Sequence, residues 1–217
     1  MYFCGRMFRR KVKILSRIDK SVINDLPIDQ FEGEVVIVNT VSDAQKAVEE
    51  LMYEPYLGFD TETKPSFQRG VHYKVSLLQL STQNKTFLFR LNLIGLPDCV
   101  INLLQNPSVI KVGLSTKDDF SALSARAPIA PAGFIEMQDY VKRIGIEEQG
   151  LQRLYALLFG KKISKAQRMS NWQAEPLLPA QITYAATDAW ATLKMWLYLE
   201  NLVTKRRLKV VQVSSDC

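Results

Sequence analysis

Tyr56-Leu57-Gly58-Phe59-Asp60-Thr61-Glu62-Thr63 is an apolar run that ends in two carboxylates separated by a single residue. An extended chain puts alternate side chains on opposite faces. Leu57, Phe59 and Thr61 then point one way, and Gly58, Asp60 and Glu62 the other. Read as a strand, the segment forces two acids together at its end. Like charges that close raise each other's pKa unless a cation stands between them. An oxygen-only pair of this kind suits Mg²⁺ or Mn²⁺. Gly58 leaves room beside Asp60 for something bulky to approach. A solvated loop carrying two acids fits the same letters, so the surrounding chain has to decide.

Upstream, Ser21–Pro27 reads as a short helix with a proline-marked exit, and Glu34–Val38 is a β-branched strand. Ser42 is positioned to cap a helix in which Ala44, Ala47, Val48 and Leu51 recur at helical spacing. Pro55 bars its continuation. Downstream, residues 63–74 hold Pro65 and Gly70 and read as a loop. Val75–Leu80 and Thr86–Phe89 flank a polar turn and predict a hairpin. Helices over 96–105 and 116–125 bracket a strand at Val109–Gly113. Asp118 and Asp119 lie in the first turn of the second helix, where acids favour the helix terminus. Gly133–Glu136 reads as the last strand. Everything after it reads as helical, over 138–144, 150–159 and 179–202, the last opened by Pro179. A hairpin followed by strand–helix alternation predicts an α/β fold, a mixed β-sheet flanked by helices on both faces.

The expected organisation is a basic N-terminal arm with a short helix over 1–34, one domain over 35–203, and a basic tail without regular structure over 204–217. A chain of 217 residues that is 47% hydrophobic can bury a sizeable single core. No run approaches the ~18 apolar residues of a membrane span, and no secretion signal is recognisable. Cys4, Cys99 and Cys217 form no Cys-x-x-Cys pair, which argues for a reducing, cytoplasmic setting and against a zinc site. His72 is the one histidine, so a histidine-rich metal site is excluded.

The net charge of +6 resides wholly in residues 1–20, where seven basic residues face the single acid Asp19. The remainder is neutral, so overall basicity says nothing of a nucleic-acid groove. Tyr2, Phe3 and Phe8 are interleaved with the arm's cations. A solvated tail, a phosphate-binding arm and an organelle presequence all fit that composition, though the scarcity of serine counts against the last.

Three acidic stations stand at the ends or starts of elements: Asp60 with Glu62, Asp119, and Asp188 within Tyr184-Ala-Ala-Thr-Asp188. Tyr184 and Asp188, four apart on a helix, look out together. The small Ala185, Ala186, Ala189 and Ala191 let that helix lie close to a sheet. The ordered set of Asp-x-Glu, then Asp, then Tyr-x-x-x-Asp resembles the DEDD superfamily of 3′-5′ exonucleases. It resembles the tyrosine-bearing branch, which includes ribonuclease D and the Werner-syndrome exonuclease domain. The resemblance runs from about Val35 to Leu202 and also rests on Lys74–Leu80, Lys111–Leu123 and Ser170-Asn-Trp172. Asp119 followed four residues later by Leu123 fits the second motif better than Asp118 with Ala122. The sister branch has a histidine five residues before the last aspartate; here that position is Thr183.

The resemblance implies a ribonuclease-H-like fold. It also implies a nuclease that hydrolyses terminal phosphodiester bonds of DNA or RNA to nucleoside 5′-monophosphates, using two divalent ions, Mg²⁺ or Mn²⁺. Asp60, Glu62, Asp119 and Asp188 would hold the metals, with Tyr184 orienting the attacking water. The partner implied is a nucleic acid with a free 3′ end, with no membrane and no protein partner inferable. Thr61 and Thr63, next to the first motif, are candidate substrate contacts. So are Lys165 and Arg168, in a basic loop that fits phosphate binding or plain solvation alike. Trp172 reads as a core anchor rather than a stacking platform. Two other readings remain: a non-catalytic nucleic-acid-binding module on the same fold, and an endonuclease of the ribonuclease-H-like fold.

Overall fold

The computed structural model describes residues 10–213. Tyr2, Phe3, Cys4, Arg6, Phe8, Arg9 and Cys217 lie outside the described residues. The chain enters on Val12–Leu15 (β1) and the short helix Lys20–Ile23 (α1), which Asp19 caps through the Ser21 amide. Glu34–Val38 (β2), Val41–Leu51 (α2), Tyr56–Glu62 (β3), Leu77–Ser81 (β4) and Lys85–Phe89 (β5) follow. Then come Leu91–Ile94 (α3), Asp98–Gln105 (α4), Ile110–Gly113 (β6), Thr116–Ser124 (α5), Phe134–Glu136 (β7), Met137–Arg143 (α6), Leu151–Phe159 (α7), Pro179–Thr204 (α8) and Leu208–Val211 (β8).

Six strands form a mixed sheet in the order β2-β5-β4-β3-β6-β7. β4 pairs antiparallel with both β3 and β5, and the other neighbours are parallel. The strict alternation of the strands sorts their side chains. Leu57, Phe59, Leu78, Leu80, Phe87 and Phe89 face a core shared with α2, α4 and Leu123 of α5. Leu77 and Leu88, on the opposite face, pack against Tyr184 and Ala185 of α8 with Trp172. Val112 belongs to a third cluster with α6, α7 and the second half of α8. The α/β sheet with helices on both faces is as the sequence predicts.

Four local expectations are corrected. α2 is capped by Thr40, whose hydroxyl accepts from the Asp43 amide, and not by Ser42, which lies inside the first turn. The tail after residue 203 is not without structure: Leu208–Val211 pairs in parallel with β1, residue for residue from Val12 with Leu208. The basic arm is likewise structured from Val12 on, with Ile14 buried 6% exposed beside Leu202 and Trp196. The period-two pattern Val12, Ile14 alternating with Lys11, Lys13 is a strand signal; the density of charge around it concealed it. So Phe134–Glu136 ends the main sheet but is not the last strand of the chain.

Candidate active site

Strand β3 delivers Asp60 and Glu62 to the sheet face covered by α8, as its alternation requires. Helix α8 crosses that face and brings Asp188 to them. One carboxylate oxygen from each of Asp60, Glu62 and Asp188 lies within 4.8 Å of the others. The room that Gly58 leaves is taken by α8 itself. A Cβ there would sit 1.9 Å from the Ala189 carbonyl oxygen, far inside contact distance, so only glycine permits the helix to approach this closely. Ala185 and Ala189, both fully buried, serve the same approach from the helix side.

Asp119 stands on α5, outside that three-carboxylate cluster. It accepts a hydrogen bond from the Thr61 hydroxyl, which projects from the opposite face of β3 to Asp60. Asp118, its neighbour, is exposed. The turn into α5 is tight: Ser115 adopts a left-handed conformation with φ 66°. Glu136 of β7 stabilises that helix start, its carboxylate accepting from the Ser115 amide at 3.0 Å and the Thr116 amide at 2.7 Å. A carboxylate at a helix N-terminus satisfies orphan amides and complements the dipole.

The electrostatics are those of crowded acids. Burial, then Asp188, Glu62 and Asp119, holds the Asp60 carboxyl well above the usual range. Burial and the charges of Asp188 and Asp119 push Glu62 up to about 9, opposed by Arg168. Burial raises Asp188 to about 7, opposed by the nearby Tyr184 hydroxyl and Lys165. Asp119 is raised to about 6 by burial, with the Thr61 bond opposing. Tyr184 is itself pushed upward by burial and by Asp188, so its phenol stays protonated at neutral pH. The donor set is all oxygen, negatively charged and partly desolvated. It therefore fits a hard divalent cation.

Asp60, Glu62, Asp188 and Tyr184 line a cavity of about 350 Å³ with Lys165, Arg168, Thr61, Leu114 and Gln152, and Asp119 is not among its lining residues. Lys165 and Arg168 thus reach the site, whereas the neighbouring basic residues do not. Lys161 pairs with Asp29 at 3.2 Å, and Lys162 donates to the Asn24 carbonyl. Thr63 lies just past β3 and is not among the lining residues. Trp172 is fully buried against Tyr184, with ring centroids 5.8 Å apart, and is the core anchor expected. His72 is exposed in the loop after β3.

One polar residue of the site was missed by reading the sequence. Gln79 pairs directly across from Asp60 in the β3–β4 ladder and therefore shares its face. It is fully buried, and neither amide atom has a hydrogen-bond partner among the described residues. The signal was available: an amide in the otherwise apolar run Leu77-Leu78-Gln79-Leu80.

Residues 35–204 match the family model described as 3′-5′ exonuclease. The chain belongs to this family. The exonuclease domain is 31% identical over 196 residues to the bifunctional 3′-5′ exonuclease/ATP-dependent helicase WRN of Mus musculus, covering 85% of this chain and 14% of that protein. It is 33% identical over 178 residues to ribonuclease D of Gluconacetobacter diazotrophicus, covering 80% of this chain and 44% of the other. The chain thus spans less than half the length of either relative. In three dimensions it superposes on the Nibbler EXO domain of Aedes aegypti with a TM-score of 0.75 at 22% identity, over 83% of this chain and 95% of that one. The RNase D of Trypanosoma brucei, solved in complex with RNA U12, gives 0.68 at 21% identity, over 82% and 64% of the two chains. These superpositions establish the fold, the ribonuclease-H-like 3′-5′ exonuclease fold.

Proposed function

We propose that this exonuclease domain removes nucleotides from the 3′ ends of DNA or RNA as nucleoside 5′-monophosphates, in the manner of the tyrosine-bearing branch. The observation that carries the reading is the convergence of Asp60, Glu62 and Asp188 within 4.8 Å. Such a cluster is costly unless cations neutralise it. Two Mg²⁺ or Mn²⁺ ions, when bound, supply an activated water and offset the charge on the leaving oxygen.

The chain's own residues do the rest. Asp60, Glu62 and Asp188 hold the cations on the α8 side, and Asp119 contributes from the α5 side. Tyr184 keeps its proton, because burial and the nearby Asp188 push its phenol upward. Its oxygen lone pair then faces the site as an acceptor for the attacking water's proton, an orienting role rather than that of a base. Lys165 and Arg168 supply positive charge for the scissile phosphate at the wall of the cavity.

A digestion panel tests the reading. End-labelled single- and double-stranded DNA and RNA are incubated with Mg²⁺, Mn²⁺ or chelator. Stepwise loss from the 3′ end that stops on chelation is expected. Internal cuts as first products, or full activity in excess chelator, refute it.

A further inference from the structure

Gln79 stands in the middle of β4, fully buried, with neither its amide nitrogen nor its amide oxygen hydrogen-bonded among the described residues. An amide withdrawn from water and left unpaired destabilises a fold, so the position calls for a partner. The register of the sheet narrows the choice. Residues directly opposite in an antiparallel ladder share a face, with Cβ atoms about 4.5–5.5 Å apart. On one side Gln79 lies across from Leu88, on the other across from Asp60. Leu88 has no polar side-chain atom. Along β4, Leu77 has none either, and Ser81 is already committed. Its hydroxyl shares a hydrogen bond of 2.6 Å with the Thr86 hydroxyl and donates to the Thr82 carbonyl at 2.8 Å. Helix α8 closes over this face with Ala185, packed with Leu77 and Leu88, and with Ala189, against Gly58. The acceptor left directly beside Gln79 is the Asp60 carboxylate.

The need is mutual. An ionised carboxylate only accepts hydrogen bonds, at about four lone-pair sites. Its partners in the cluster, Glu62 and Asp188, are carboxylates as well. A cation in the cavity takes some of the lone pairs of Asp60 and leaves others for a donor behind it. Hydrogen bonds of that kind fix the orientation of metal-ligating side chains. Gln79 does not line the cavity, so its amide acts through Asp60 and touches neither cation nor substrate. An amide also suits the place by its charge. A carboxylate there would add to the repulsion of the cluster, and an ammonium would compete with the cation. The amide oxygen has a complement of its own. The Trp172 indole N–H is likewise buried without a partner, and Trp172 packs with Leu77 and Leu88 beside Gln79.

We propose that Gln79 is a positioning residue for Asp60. Its amide N–H donates to the carboxylate from beneath the site and holds it in the orientation that binds a divalent cation, and its amide oxygen accepts from the Trp172 indole. The proposal rests on the exonuclease reading for the use of the cation, and its test reads cation binding without substrate.

Gln79→Met keeps the length of the side chain and removes both polar atoms. Calorimetric titration of the full chain with Mn²⁺, in the absence of nucleic acid, should show affinity lowered by about 10- to 100-fold. The Mn²⁺ concentration for half-maximal hydrolysis should rise by the same factor, with the KM for nucleic acid at saturating metal unchanged. The melting temperature in chelator should not fall, because the variant sheds an unpaired buried amide. A merely structural role gives the reverse, a lower melting temperature with unaltered Mn²⁺ affinity, and that result overturns the proposal. Should the variant fail to fold, the wild-type protein decides through the ¹⁵N side-chain amide resonance of Gln79. One of its two protons moves downfield as Mg²⁺ is added; if both keep their positions up to saturation, the proposal is overturned. Mn²⁺ affinity that depends on Gln79, in a protein that hydrolyses no nucleic acid with any metal, overturns the exonuclease reading and supports the positioning role.

Discussion

Tyr184 and Asp188 stand one turn apart on α8, and replacing the phenol alone separates orientation from metal binding. Tyr184→Phe keeps the ring that packs on Trp172 and leaves every carboxylate in place. The expected loss is therefore in the catalytic constant, about 10²-fold, at the low end of what positioned groups contribute. The Michaelis constant should change little, since the attacking water is not part of substrate binding. Single-turnover rates with metal titrations check this, and a wild-type rate for the variant would remove the chain from the tyrosine branch. The crowded acids make a second prediction, on stability. Glu62 at about 9, Asp188 at about 7 and Asp119 at about 6 are all raised above ordinary carboxylates. The folded state then binds more protons than the unfolded one between about pH 4 and pH 9. Without metal, stability is greatest on the acid side and declines as pH rises through that window. Divalent cation opposes the decline by binding the ionised form. Thermal melts in chelator across this range should show the slope, and Asp60→Ala, with one acid fewer, should flatten it while abolishing hydrolysis. Equal slopes for wild type and variant would show that these carboxyls ionise without strain.

At the scale of elements, the site exists because α8 can lie almost on the backbone of β3. Gly58→Ala puts a methyl group where the Ala189 carbonyl is. The backbone on both sides is regular, so neither can yield without tilting the helix. Overpacking of this kind costs about 1–3 kcal/mol, measurable by urea unfolding. The catalytic loss should exceed what that destabilisation explains, because the tilt carries Asp188 away from Asp60 and Glu62. A variant as active per folded molecule as wild type would show that the helix position is not critical. Helix α5 makes the complementary point. Its start is held by Glu136, twenty residues away in sequence from Thr116. Ser115, the residue in the cap position, makes no capping bond with its side chain. The placement of Asp119 therefore depends on a strand formed later in the chain.

At the scale of the whole molecule, β1 and β8 tie residues near the two ends into a small parallel sheet. Ile14 is the buried residue of β1 and packs with α8 and the end of the helical layer. Ile14→Ala should cost roughly 2–5 kcal/mol, as buried isoleucine truncations do, and lower the urea midpoint with turnover per folded molecule retained; a neutral result would make the strand pair an ornament. Much of this protein was legible without coordinates. The period-two runs at 56–62 and 75–89 and the helical spacing of α2 and α8 follow from local rules of strand and helix geometry, whereas the stations Asp60, Glu62, Asp119, Tyr184 and Asp188 were marked out by their resemblance to the exonuclease family's motifs. What depends on partners distant in sequence was not legible. Nothing in Leu208–Val211 says that Val12–Leu15 will pair with it, and nothing in Gln79 says that it will stand opposite Asp60. Gly58 advertised a close approach but not by what. Period and propensity act between residues a turn or a pleat apart, so the chain by itself determined its elements and which acids they carry. Burial, register and the convergence of carboxylates are properties of surfaces that meet only on folding, and those the tertiary structure alone decided.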